Sequence, residues 1–244
     1  MTKIFELQNH ILIYTGYMDP AEHRHMAAHI IISMGNHMQV RVDNKEYLYK
    51  GICIPSGYSH KIDTCGNPVL VFLYDSTTNV AKHIQKVQDI DDEKCANIIS
   101  LYDEFEKSSS KADYSKIEKY ILEEVGLDAL NSSVTDDRII AAMKYIRENG
   151  NSSMTCKAVA NAVFLSEGRF SHLFREQVGM TFAAYLIYQR ILNVYANVIR
   201  GKTVTEAAIE AGFSSSTHFA DVNRRVFGIS ISNISRDLNY IKVK

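Results

Sequence analysis

One pattern occurs twice in the second half of this chain and restricts its folding more than any other feature: a short amphipathic helix, a tight turn, then a longer amphipathic helix. The first copy runs from Cys156 to Val163 and Ser166 to Val178, the second from Val204 to Ala211 and about Ser215 to Phe227. A long helix from Thr181 to Arg200, closed by Gly201, joins them. Ser166 and Ser214 stand 48 residues apart. Thr203-Val204-Thr205-Glu206 fits the capping box, in which the threonine hydroxyl and the glutamate satisfy free backbone donors reciprocally. After it, Ala207, Ala208 and Ala211 let another helix approach closely, Gly212 permits a left-handed turn, and Phe213 buries beneath that turn. These are the requirements of a helix-turn-helix. Everything readable beyond residue 137 is helical, beginning with Ile139, Ile140, Met143 and Ile146 and stopping at Asn149-Gly150, so residues 138–244 are expected to form an all-α domain.

The longer helix of each copy divides by face. In the first, Ser166 caps the helix, Phe170, Leu173, Phe174 and Val178 point inward, and Glu167, Arg169, Ser171, His172 and Arg175 point out. In the second, Ser214 or Ser215 opens the helix, Phe219, Val222, Val226 and Phe227 are buried, and Ser216, Thr217, His218, Asp221, Arg224 and Arg225 lie outside. A helix enters the major groove of DNA and reads base edges, while arginines and hydroxyls reach phosphates. Any one of these positions taken alone is equally a solvated face of a helical bundle; two copies in a basic segment favour the groove. Residues 133–244 carry 14 Lys and Arg against 9 Asp and Glu, a net of +5, whereas residues 1–132 carry 13 against 19, a net of −6. Only the C-terminal half has the balance expected of a polyanion's partner.

The acidic half reads differently. Ile11 to Tyr14, Ile30 to Met34, Met38 to Val42, Tyr47 to Tyr49, Ile52 to Ile54 and Val69 to Tyr74 are short strands separated by turn residues such as Asp43-Asn44 and Ser56-Gly57, which implies a sandwich or small barrel. After Asp75 the period becomes helical, through Val80, Ile84, Val87, Ile98, Ile99, Tyr102 and Phe105, then Tyr114, Ile117, Ile121, Leu122 and Val125, with Ser108-Ser109-Ser110 between the stretches and Gly126 as a stop. Residues 1–130 thus form one domain, and 131–137, a polar run around Asn131-Ser132-Ser133, is the linker. With 46% hydrophobic and 23% charged residues, both domains can bury a core. The longest apolar runs, Ile30 to Ile32 and Val69 to Leu73, are far short of the ~20 residues of a membrane span. The first twenty residues lack a secretory pattern, so the expected location is the cytoplasm and no membrane partner is expected. Cys53, Cys65, Cys95 and Cys156 form no C-x-x-C pair, which excludes a zinc knuckle or a thioredoxin-type motif.

His23-x-His25-x3-His29 places three rings at even spacing, which on a continuous strand would project them to one face, and Pro55-Ser56-Gly57-Tyr58-Ser59-His60 supplies a fourth. Four imidazoles gathered in a barrel suit Zn, Ni, Cu or Fe. His37, in an expected loop, has no role in this set.

The segment Leu165-Ser166-Glu167-Gly168-Arg169-Phe170-Ser171-His172-Leu173-Phe174-Arg175 and the later Glu206-Ala207-Ala208-Ile209-Glu210-Ala211-Gly212-Phe213-Ser214-Ser215-Ser216-Thr217-His218-Phe219, with Val226-Phe227-Gly228-Ile229-Ser230, resemble the two helix-turn-helix signatures of AraC/XylS-family transcription regulators. The resemblance covers residues 138–238 and implies a seven-helix domain with two recognition helices. Two positions depart from it: Ile231 stands where the family usually has proline, and Asn223 where it has an aromatic, so that Asn223 either turns toward a phosphate or loosens the second unit. The histidine segments resemble the cupin motifs, with His29 in place of a glutamate, and the family resemblance implies that these histidines line an organic-effector pocket instead of binding a metal. The expected architecture is therefore an α+β two-domain chain, with a cupin-like β-barrel and trailing helices followed by the all-α double helix-turn-helix domain. The function implied is a non-enzymatic, sequence-specific regulator that binds double-stranded promoter DNA and responds to a small molecule or metal. The resemblance also implies a homodimer built through the trailing helices and, if the regulator is an activator, a contact with RNA polymerase. The competing reading is a metal-dependent cupin enzyme with an accessory helical domain.

Overall fold

Runs of β-branched and aromatic residues in the first ninety residues become nine strands: β1 (Thr2–Glu6), β2 (His10–Thr15), β3 (Ala28–Ser33), β4 (Met38–Val42), β5 (Lys45–Tyr49), β6 (Gly51–Ile54), β7 (His60–Asp63), β8 (Val69–Tyr74) and β9 (Gln88–Ile90). The computed structural model describes residues 2–7, 9–16, 21–42, 44–108, 114–127, 134–149, 154–228 and 238–242. Asp43, the breaks at Ser109-Ser110 and Asn131 to Ser133, Gly150, Ile229, Ser230 and Ile231 lie outside these residues, as does the side chain of Tyr114.

The strands make two sheets rather than one closed barrel. One has the order β10-β1-β2-β8-β3-β6-β9, the other β5-β4-β7, where β10 is Leu238–Lys242. In the larger sheet, alternate residues pack on opposite faces. Ile11, Ile13, Ile31, Val69, Val71 and Leu73 join Val40 and Ile62 of the small sheet, while Leu12, Ile30, Ile32, Leu70 and Phe72 meet the helices behind. Burial on both faces explains the unbroken apolar runs in β3 and β8, every residue of which is buried.

The expected helical stretch of residues 79–107 is instead α1 (Asn79–His83), strand β9 and α2 (Asp92–Ser108); α3 (Tyr114–Glu124) follows. The three residues of β9 extend the sheet beside β6, which a helical period could not reveal. Ile98, Tyr102, Phe105, Ile117, Ile121 and Leu122 of α2 and α3 are buried in the cluster behind the large sheet, so the chain's own sheet accounts for their apolar stripes.

The C-terminal helices are α4 (Asp137–Asn149), α5 (Cys156–Ala162), α6 (Glu167–Val178), α7 (Phe182–Ile199), α8 (Val204–Glu210) and α9 (Ser216–Phe227). The expectation that all of this half is helical fails at β10, which pairs parallel with β1 from Thr2↔Leu238 to Glu6↔Lys242. The distance in sequence between these partners hides the pairing from any local pattern. Among the described residues no helix is long and apolar enough to cross a membrane.

The helical half packs directly on the strands. The buried Tyr188 hydroxyl of α7 lies 2.8 Å from the Leu7 carbonyl and 2.6 Å from that of His10 and donates to them, and the Asn9 side-chain amide donates to the Val178 carbonyl at 2.9 Å. Beside these, the Asn79 amide donates to the Gly179 carbonyl at 3.1 Å and the Thr181 amide to Thr77 Oγ1 at 3.3 Å. Replacing Tyr188 by Phe removes a buried donor and is expected to destabilise the protein by about 1 to 3 kcal/mol, read as a lowered midpoint in urea unfolding; an unchanged midpoint would show that this contact carries no net stability.

Candidate nucleic-acid interface and histidine cluster

Each longer helix begins on a serine with a satisfied cap. Ser166 Oγ accepts from the Arg169 amide at 3.4 Å, and Ser215 Oγ from the His218 amide at 3.0 Å. Each ends on a left-handed glycine, Gly179 at φ 76° and Gly228 at φ 72°. The capping box expected at Thr203 and Glu206 is complete. Phe170, Leu173, Phe174 and Val178 of α6, and Phe219, Val222, Val226 and Phe227 of α9, are buried as expected. On the other side Ser166, Glu167, Arg169, Ser171, His172 and Arg175 are exposed; so are Thr217, His218, Asp221, Arg224 and Arg225, with Ser215 and Ser216 half-buried.

Several of these side chains are partly engaged. His172 Nδ1 lies 3.7 Å from Glu176 Oε2, and His218 Nδ1 lies 2.9 Å from Ser214 Oγ, which fixes the His218 ring at the start of α9. Glu167, Ser171, His172, Arg175 and Glu176 line one open groove together with Asn79 of α1. Lys82, also on α1, has its ammonium held below the usual lysine value by burial and then by the Arg175 guanidinium, a sign that the strand domain sets a further cation beside α6. Sequence reasoning missed Lys82 and Asn79, because only the docking of the two halves brings them to α6.

Asn223 does not turn outward toward a phosphate. It is wholly buried, and Tyr195 of α7 donates a 2.6 Å hydrogen bond to its Oδ1. This buried polar pair ties α9 to the bridging helix.

At its other end α9 meets the strand domain. The carbonyls of a helix's last turn lack intrahelical donors. Here the Met26 amide donates to the Arg225 carbonyl at 2.7 Å and the Ala27 amide to the Val226 carbonyl at 3.0 Å.

The four histidines converge beside this junction, though not by the expected route. Residues 23–27 are not a continuous strand, since β3 starts only at Ala28. His23 instead forms an isolated bridge with His60, each amide donating to the other's carbonyl at 3.0 Å. His60 belongs to the small sheet and His29 to the large one, so the cluster spans the mouth between them. Ring centroids are 4.5 Å apart for His23 and His60, 5.2 Å for His25 and His60, and 4.1 Å for His25 and His29. His25, His29 and His60 are buried. Among the described residues, both ring nitrogens of His25, Nδ1 of His29 and Nε2 of His60 have no hydrogen-bond partner. Burial lowers the His25 pKa to about 2 and the His60 pKa to about 4, and holds His29 well below the ordinary value, with the neighbouring imidazoles adding to the effect. His37 lies apart, 3.1 Å from Asp92.

Two capped helices with polar outer faces, bridged by a long helix, define a tandem helix-turn-helix domain. Comparison with known proteins gives it a type: residues 159–237 match the family described as a helix-turn-helix domain. The chain is 27% identical over 112 residues to the probable transcriptional regulator LumQ of Photobacterium leiognathi, covering 45% of this chain and 42% of that protein. It is 30% identical over 113 residues to the arabinose operon regulatory protein of Escherichia coli (strain K12), covering 43% and 38%. The match therefore spans about two fifths of either relative's length. A crystal structure of ToxT from Vibrio cholerae is similar with a TM-score of 0.49 and 11% identity, over 92% of this chain and 95% of that one. The match falls on the C-terminal domain and bears out its helix-turn-helix character; six helices of that domain fall among the described residues.

The buried rings have a consequence for stability. Above about pH 6.5 they are neutral in the folded and unfolded chain alike; below it the unfolded chain takes up protons that the folded rings refuse. Stability contributed by the cluster is therefore expected to be intact above about pH 6.5 and to fall as the pH drops toward the depressed folded value of about 4 for His60. Urea unfolding with a chelator present measures this. The loss between neutral and mildly acidic pH should be smaller in His60→Gln than in wild type, and equal losses would contradict it.

Proposed function

We propose that this protein is a sequence-specific DNA-binding transcription regulator whose strand domain senses a small ligand or metal. The observation that carries the reading is the pair of outer faces on α6 and α9. Both are polar and partly basic, both start from a capped serine, and both belong to a half with a net charge of +5 while its partner half carries −6. Arg169, Ser171 and His172 near the start of α6, and Ser216, Thr217 and His218 near the start of α9, stand where a helix inserted into the major groove meets base edges. Arg175, Arg224 and Arg225 stand nearer the helix ends, where the phosphate backbone passes. Glu167 and Asp221 suit the exocyclic amine of cytosine.

The same reading takes the strand domain as the source of regulation, because it contacts α7 and α9 directly and so has a physical route to both reading helices. A second copy of the chain, RNA polymerase and a cytoplasmic location belong to this reading as its further partners and setting. Pairing of two chains would bring four reading helices to one site and multiply their affinity.

Substitution of Arg169 or His172 by Ala is expected to weaken binding to a selected operator by ~1 to 3 kcal/mol more than binding to random duplex. Binding of both should fall steeply with salt as counterions are released. Fluorescence anisotropy titrations at several salt concentrations measure both quantities. An unchanged ratio of selected to random affinity would remove these two residues from sequence reading.

A further inference from the structure

We infer that His23, His25 and His60 bind a divalent late transition-metal ion, and that its binding moves the end of α9 through the contact between His25 and Gly228. The regulatory half of this inference rests on the DNA-binding reading above; the site itself does not.

The donor set is built for a cation. Each of the three rings offers a nitrogen within 4.8 Å of the others, and imidazole nitrogens suit Zn, Ni, Cu and Fe. The tautomers are assigned by backbone carbonyls, which only accept. His23 Nδ1 lies 2.9 Å from the Ala21 carbonyl, and His60 Nδ1 lies 2.9 Å from that of Tyr58. Each Nδ1 therefore carries the proton, and each Nε2 presents a lone pair, the arrangement in which histidines ligate metals. Nε2 of His60, both ring nitrogens of His25 and Nδ1 of His29 are buried polar atoms with no partner among the described residues, and a metal or its bound water would satisfy them.

The geometry also supplies the response. Tetrahedral coordination at zinc–nitrogen distances near 2.0 to 2.1 Å sets ligand nitrogens about 3.3 Å apart. The three ligand nitrogens lie within 4.8 Å of one another, so any pair standing wider than the tetrahedral spacing draws together on binding. His23 is half-buried, whereas His25 is buried against the C-cap of α9. A Cβ at Gly228 would lie 2.1 Å from His25 Cδ2 and 2.6 Å from its Nε2, so there is no slack between ring and helix end. The next two residues, Met26 and Ala27, hold the Arg225 and Val226 carbonyls by hydrogen bonds. A shift of His25 is thus transmitted both by packing and by the backbone to the last turn of the second reading helix.

The test uses the full chain purified without an affinity tag, with Zn²⁺ as probe. Calorimetry should give one ion per chain. His23→Gln and His60→Gln should each weaken binding by roughly tenfold or more, while His37→Gln leaves it unchanged. Hydrogen exchange at the Met26 and Ala27 amides should change on adding Zn²⁺ to wild type and stay constant in His60→Gln. As a readout that needs no variant, Cu²⁺ bound to wild type should show coupling to imidazole nitrogens in its electron paramagnetic resonance spectrum. Absence of stoichiometric uptake, or copper signals without imidazole nitrogen, overturns the site. Uptake with unaltered exchange at Met26 and Ala27 overturns the coupling. A chain that takes up Zn²⁺ but binds no duplex DNA refutes the regulator reading and leaves the site standing; one that binds DNA without taking up Zn²⁺ refutes the site alone.

Discussion

The last turn of α9 cannot satisfy its own carbonyls, and this chain answers two of them from its other half. The amides of Met26 and Ala27 close on Arg225 and Val226, so α9 ends on the strand domain. At the opposite end of the junction, Tyr188 reaches the Leu7 and His10 carbonyls and Asn9 reaches Val178. These contacts place α7 and α9 against the strands, and β10 pairs directly with β1. Together they give a change in the strand domain a direct physical route to α7 and α9, the kind of route a ligand-responsive regulator needs.

Much of the helical half was legible because its signals are local. The Thr203 and Glu206 box, the small Ala207 and Ala208, and the left-handed Gly212 act within one or two turns, and the structure places each as expected. Asn223 was not legible, since its partner Tyr195 lies on another helix. Strand β9 was hidden within an apparently helical period, and β10 depends on a partner at the far end of the chain. Both are decided by tertiary pairing rather than by local preference.

The histidine cluster shows how a sound pattern can arise from the wrong intermediate. Even spacing suggested one continuous strand, yet the rings meet because His23 bridges to His60 across the small sheet while His29 comes from the large one. What sequence alone could not show was the neighbour of the cluster, the glycine that ends α9. That adjacency turns four imidazoles from a local chemical feature into part of the junction between the halves.

The central claim is that α6 and α9 read DNA together, held in register by α7. Hydroxyl-radical footprinting of the full chain on a duplex selected from random sequences tests it most directly. Two protected segments centred about one helical turn apart, ~10 base pairs, on one face of the duplex are predicted. Protection confined to a single groove segment, or no protected site at all, would contradict it.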